Sequence, residues 1–110
     1  MKEEGHALFW NVAAEWLSKP EVSKSTMMGF PCLRLDGQFF ASVHREQGSL
    51  IVKVPASRVQ ELVNSEQGVS FAPAGRVFRE WVAIPVSNSD TWPERMAEAY
   101  AFVGSKGSAK

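Results

Sequence analysis

The dipeptide Asp36-Gly37 lies between two short, largely apolar runs, residues 31–35 and 38–44. An Asp-Gly pair in this setting is a strong signal for a two-residue β-hairpin turn. A third run, residues 49–54, is rich in β-branched side chains and follows after a short polar turn. The pattern predicts three consecutive antiparallel strands, which constrains the chain to an architecture built around a sheet.

Helical periodicity surrounds these strands. The apolar spacing near the start of the chain predicts a helix over residues 5–18, ended by Pro20. Ser-x-x-Gln from Ser57 and Thr-x-x-Glu from Thr91 have capping-box spacing and predict the starts of two further helices. The stripe of the first helix comprises Phe9, Val12, Ala13, Trp16 and Leu17.

Two more strands are predicted near residues 69–71 and over residues 79–84, and the tail from 105 to 110 is expected to be disordered. The predicted order is therefore α-β-β-β-α-β-β-α, an α+β fold in a single domain spanning residues 1–110. We expect the first helix to pack on the sheet, with one core that contains Phe9, Trp16, Leu17, Val52 and Trp81.

The amino-acid composition limits the classes of function that this chain can have. Twelve basic and twelve acidic residues leave no net charge, whereas a dedicated nucleic-acid binder usually carries a basic excess. No apolar run is long enough to span a membrane, and the polar start lacks the pattern of a secretory signal. A single cysteine fits a reducing compartment, so we expect a cytoplasmic protein.

The charge is unevenly distributed along the chain. Residues 1–21 carry two basic and four acidic side chains, whereas residues 22–85 carry seven basic and five acidic ones. This asymmetry permits a weakly basic face in the sheet region. The candidate phosphate-binding side chains there are Lys24, Arg34, Arg45, Lys53 and Arg79.

Catalytic and metal sites find little support in the spacing of the reactive residues. His6, His44 and Cys32 lie far apart, without the Cys-x-x-Cys or His-x-x-x-His spacing of a metal site. Pairing about the hairpin turn places Cys32 opposite Ala41, three residues from His44, so the two cannot form a nucleophile and base. We therefore predict no metal, no cofactor and no catalytic residue, with Cys32 as an inert buried thiol.

From residue 24 onward the chain resembles two neighbouring families, the TfoX N-terminal domain family and the MmcQ/YjbR-like family. The resemblance covers roughly residues 8–103. It is carried by Met27-Met28-Gly29-Phe30-Pro31, Leu33-Arg34-Leu35-Asp36-Gly37-Gln38-Phe39-Phe40-Ala41, Leu50-Ile51-Val52-Lys53-Val54, Arg58-Val59-Gln60-Glu61-Leu62, Phe71 with Gly75, and Glu80-Trp81-Val82. It implies a two-layer α+β fold with a five-stranded antiparallel sheet, and a regulatory role through protein or nucleic-acid contacts.

Four tryptophans are many for a chain of this length. Trp10 lies off the stripe of the first helix and Trp92 lies beside the start of the last, so either is a candidate exposed anchor for a partner. The leading prediction is a non-catalytic binding domain, monomeric or weakly dimeric, whose partner is a protein or a nucleic acid. One alternative is a small ligand-binding protein or enzyme that uses the concave face of the sheet, and another is a structural role through self-association at a sheet edge.

Overall fold

The computed structural model describes residues 2–27, 30–44, 47–72, 75 and 77–108. The helices are α1 (Lys2–Leu17), α2 (Ala56–Asn64) and α3 (Trp92–Ser108), and a 3-10 helix at Val86–Thr91 leads into α3. The strands are β1 (Val22–Met27), β2 (Phe30–Leu35), β3 (Gln38–Val43), β4 (Leu50–Lys53), β5 (Val69–Ser70) and β6 (Trp81–Ile84). None of the helices within these residues combines the length and apolar character that crossing a membrane requires.

All six strands form one antiparallel sheet in the order β1-β2-β3-β4-β6-β5. The α+β class is confirmed, but the prediction of five strands and of the corresponding element order is wrong. The additional strand is β1, which pairs with β2 along its whole length, from Val22 opposite Leu35 to Met27 opposite Phe30. Its sequence, Val-Ser-Lys-Ser-Thr-Met, is mostly polar and therefore lacks the apolar signal by which a strand is recognised.

The helices lie on one face of the sheet. Phe9 of α1, Leu62 of α2 and Met96 of α3 are buried in one cluster, here called the main core. The strand residues of the main core include Leu33, Val43, Leu50, Val52, Val82 and Ile84. Helices and sheet thus form two layers.

The opposite sheet face, here called the open face, carries a separate apolar cluster of Phe30, Ile51, Phe71, Trp81 and Ala83. Strand pairing also places Cys32, Arg34, Phe39, Ser42 and Lys53 on this face. The expectation of one core was right for Phe9, Trp16, Leu17 and Val52 and wrong for Trp81. Trp81 alternates with Val82 along β6, so the two residues point to opposite faces.

A register shift interrupts the pairing of β2 with β3. Leu33 lies opposite Ala41, but the next pair is Arg34 with Phe39, so Phe40 is an extra residue on β3. As in other β-bulges, this places consecutive residues, here Phe40 and Ala41, in the same core. The predicted pairing of Cys32 with Ala41 is wrong by one residue for this reason.

Neither predicted capping box forms. Pro55 precedes α2 and no side chain caps that helix, while the Thr91 hydroxyl donates to the carbonyl of Asn88, 2.8 Å away. The last helix continues to Ser108, and the disorder expected of the tail from residue 105 stays a prediction. Residues 109 and 110 lie outside the described residues.

The start of α1 packs tightly against the turn between β3 and β4. His6 Nε2 lies 3.3 Å from the carbonyl oxygen of His44. A Cβ atom at Gly5 would lie 2.0 Å from the carbonyl oxygen of Gly48, which is far inside van der Waals contact. Glycine is therefore required at this helical position so that the two backbones can approach.

Candidate functional site

The sheet separates the predicted phosphate-binding cations. Arg34 pairs with Phe39 and Lys53 pairs with Trp81, so both lie on the open face, where exposed Arg79 shares a cavity with Lys53. Lys24 instead pairs with Leu33 and points to the helix-covered side. Arg45 lies outside the described residues. The open face thus gathers Arg34, Lys53 and Arg79.

Each of the two strand cations lies over an aromatic ring. The guanidinium carbon of Arg34 is 4.6 Å from the Phe39 ring centroid, and the Lys53 ammonium is 5.9 Å from that of Trp81. Both distances are within the range of a cation–π contact. Glu80 lies 4.0 Å from the Lys53 ammonium, at the limit of an ion pair. Arg34 and Lys53 therefore contact aromatic rings on the sheet, and both side chains remain partly exposed to solvent.

A shallow cavity of about 630 Å³ opens beside Lys53. It is lined by Lys53, Ala56, Val77, Phe78, Arg79, Glu80 and Trp81. Val77 is 59% exposed at its rim, which is high for a large apolar side chain. The cavity therefore combines two positive charges and the Glu80 carboxylate with an apolar and aromatic wall.

Phe71 and Phe78 close the centre of the open face. Their rings meet edge to face at 5.6 Å, and the Phe78 amide donates to the Phe71 carbonyl at 3.0 Å. Ile51 is fully buried as a result. A ligand on this face would therefore contact the cations and the partly exposed Phe39 and Phe78 rings at the margin, since the centre is filled and Trp81 is buried.

A second cavity of about 330 Å³ lies next to His44 and the short strand β5. The His44 ring packs at a tilt against Phe30 with centroids 4.9 Å apart, and its Nδ1 accepts a hydrogen bond from the Gln47 amide. Both ring contacts are structural, because the hydrogen bond closes the turn between β3 and β4 and the aromatic contact packs His44 against the start of β2. The geometry does not place His44 as the base for a nucleophile.

Cys32 is fully buried on the sheet. Burial raises the pKa of its thiol to about 11, against the opposing influence of the Arg34 charge. Thiolate is the nucleophilic form, so this environment suppresses reactivity near neutral pH.

We expect a thiol reagent to label native Cys32 slowly, at a rate set by transient opening of the fold. The same reagent should react at once in denaturant, and stabilising the fold should slow the native reaction further. Labelling followed by mass spectrometry at neutral pH measures both rates. Fast stoichiometric labelling of the folded protein contradicts the assignment of Cys32 as inert.

The two tryptophans that are candidate anchors differ in their exposure to solvent. Trp92 is fully buried, and its indole N–H donates to the Ile84 carbonyl at 3.2 Å. It cannot contact a partner, so the expectation of an exposed anchor is wrong for this residue. Trp10 is partly exposed, packs edge to face on Phe9 and lies 5.2 Å from the Lys24 ammonium.

The rings beside the cations were missed by sequence reasoning. The hairpin register about Asp36-Gly37 sets Phe39 opposite Arg34, whereas the position of Trp81 beside Lys53 depends on the pairing of the distant strands β4 and β6. Phe78 lies outside the strands, so no periodicity marks it.

Within the described part of the chain, no three histidine, cysteine or carboxylate side chains come together as metal ligands. Comparisons of the chain with family models, curated proteins and solved structures find no match.

Proposed function

We propose that this chain is a non-catalytic binding domain, similar to the TfoX N-terminal and YjbR-like families, whose open face contacts single-stranded nucleic acid. The observation that carries the proposal is the pairing of cations with aromatic rings on one sheet face, Arg34 with Phe39 and Lys53 with Trp81. A regulatory role would follow from such contacts.

The cations and rings at the margin of the open face suit single-stranded nucleic acid. Lysine and arginine neutralise phosphates, while aromatic rings and guanidinium planes stack on bases that are not paired. A duplex hides its base faces, so it would use only the charges. The described charged side chains of the open face have a positive net charge. Glu80 lies beside Lys53, and Arg34 and Arg79 add two further cations.

Three phosphate contacts predict a modest affinity with a definite salt dependence. Each contact to a single strand contributes about 0.7 to the slope of log K against log salt, so three contacts give a slope of about −2. Affinity should then fall about 20-fold between about 50 and 200 mM salt. Fluorescence anisotropy with labelled single strands of DNA and RNA, and with a duplex, measures this.

A pair of variants tests whether nucleic acid binds at the open face. Replacing Lys53 and Arg79 by glutamine should reduce the slope to about −0.7, whereas Lys24→Gln, on the other side of the sheet, should leave it unchanged. Equal effects of the two changes would place binding elsewhere. The absence of binding at low salt refutes the nucleic-acid proposal and leaves a protein partner for the open face.

The cavity beside Lys53 favours a second candidate, the binding of a small anion with an apolar body. Lys53 and Arg79 would hold the anionic group, and Phe78 and Trp81 would contact the rest. Specific saturable binding of an aryl carboxylate, lost in the Lys53→Gln variant but insensitive to nucleic acid, would distinguish this candidate.

A further inference from the structure

The two edges of the sheet are unequal. The edge strand β5 has two residues, whereas β1 has six and pairs on one side only among the described residues. Natural proteins protect exposed edges by short strands, proline, bulges or charged side chains. The pairing of β1 with β2 continues without a register shift, and β1 contains no proline.

Lys24 is the one charged residue of β1, and it does not shield the edge. Its ammonium lies 5.2 Å from the Trp10 ring centroid, on the side of the sheet covered by helices. The neighbouring side chains Ser23, Ser25 and Thr26 are small and at least partly exposed. The backbone of β1 is therefore accessible to another strand.

One hydrogen bond shows which backbone groups point outward. The Asp36 amide donates to the Glu21 carbonyl at 2.9 Å, so Glu21 faces β2. In an antiparallel pair, alternate residues bond the partner strand. Ser23 and Ser25 therefore face β2 as well, and the N–H and C=O groups of Lys24 and Thr26 point away from the sheet.

We propose that β1 pairs antiparallel with β1 of a second copy of this chain, about a two-fold axis at Ser25. In this register Lys24 of each copy lies opposite Thr26 of the other, and their outward groups form four N–H···O bonds. Side chains on the same face of the two copies then lie next to each other, and the two six-stranded sheets become one continuous sheet.

The side chains select this register over its neighbour. An axis at Lys24 would place two lysines directly opposite each other, and like charges in that position destabilise a strand pair. With the axis at Ser25, each lysine faces a threonine hydroxyl and the two serines face each other. A contact confined to one strand pair is small, so the dimer should be weak and visible only at high concentration.

Substitutions at Thr26 test the register. Thr26→Glu places a carboxylate opposite each Lys24 and should tighten the dimer about fivefold, whereas Thr26→Lys should weaken it by a similar factor. Sedimentation equilibrium between about 10 µM and 1 mM protein measures the dissociation constants. In the alternative register Thr26 faces Val22, and the two changes would have equal effects.

Thr26→Pro tests the backbone contact. It removes an N–H that points away from β2, a site where an edge strand tolerates proline, so the monomer should fold while dimerisation is lost. Amide hydrogen exchange provides a second readout: the Lys24 and Thr26 amides should become protected as concentration rises, while Ser23 and Ser25 stay protected throughout. A chain that is monomeric to about 1 mM, or a dimer that none of the Thr26 changes affects, overturns the proposal.

Discussion

Replacing Trp92 by alanine should lower the free energy of unfolding by about 3–5 kcal/mol, the largest loss expected from a single side chain here. Trp92 has no solvent exposure and is the largest fully buried side chain among the described residues. It lies at the first position of α3 and packs in the main core with strand residues and the other helices. Truncation would leave a cavity where three elements meet. Urea denaturation of wild type and variant measures the change.

Two further variants separate the contributions of Trp92. Trp92→Phe keeps most of the apolar volume but removes the indole donor to the Ile84 carbonyl, so it should cost about 1–3 kcal/mol. It also provides a measurable value if the alanine variant does not fold. Trp10→Ala should cost less than Trp92→Ala, because Trp10 is only partly buried. Equal losses at the two tryptophans would contradict the buried position of Trp92.

The parts of the fold that were predictable are those that local sequence determines. Asp36 and Gly37 have φ angles of 50° and 85°, as the tight turn inferred from the dipeptide requires. The apolar stripe of α1 likewise places Phe9 and Ala13 in the main core. In both cases a short segment contains the whole signal.

The missed features depend on contacts between distant segments. β1 is a strand because β2 offers a complete set of partners, although Ser23, Lys24 and Ser25 have little strand signal of their own. Trp92 lies next to Pro93 at a helix start, where periodicity cannot show that the ring turns inward. Its burial follows from the approach of α3 to the end of β6, which the indole hydrogen bond to Ile84 records.

The candidate site was predictable in part. Alternation from Leu33 places Arg34 on the other face of β2, and the same reasoning applies to Lys53 on β4. The position of Lys24 required the register of a strand that was not recognised. Phe39 opposite Arg34 follows from the hairpin register, whereas Trp81 beside Lys53 depends on the pairing of β4 with β6, and Phe78 depends on the fold of its own segment. The sequence therefore shows which residues are charged, but not which of them lie together on one face of the sheet.

The helix layer contains an ion-pair network that joins α2 to α3. Arg58 of α2 donates from Nε to one Glu98 oxygen at 2.8 Å and from Nη2 to the other at 3.3 Å. Arg95 also donates to Glu98, and Glu61 lies 3.0 Å from Arg58. The hydrogen bonds from Arg58 to Glu98 and then to Glu61 raise the pKa of Arg58 further above its usual value. One carboxylate thus serves two guanidinium groups.

Loss of the Glu98 charge should be costly because of Arg95. The Arg95 side chain is only 10% exposed and its Nε has no hydrogen-bond partner among the described residues, so Glu98 is its main compensation. Breaking a buried ion pair by removing one partner typically costs about 3–5 kcal/mol. The Glu98 side chain keeps 31% exposure, so water offsets part of this loss and we expect about 2 kcal/mol for Glu98→Gln.

Glu94→Gln is the matched control, one turn earlier on the same helix. Glu94 is 69% exposed and lies 4.0 Å from Arg95, so its loss should change stability by less than about 0.5 kcal/mol. Denaturant unfolding of the two variants at low and high salt gives the comparison, and most of the Glu98 effect should persist in salt because the Arg95 side chain is nearly buried. If Glu98→Gln costs no more than Glu94→Gln, the network does not hold α2 against α3, and their attachment must come from apolar contacts such as Leu62 with the main core.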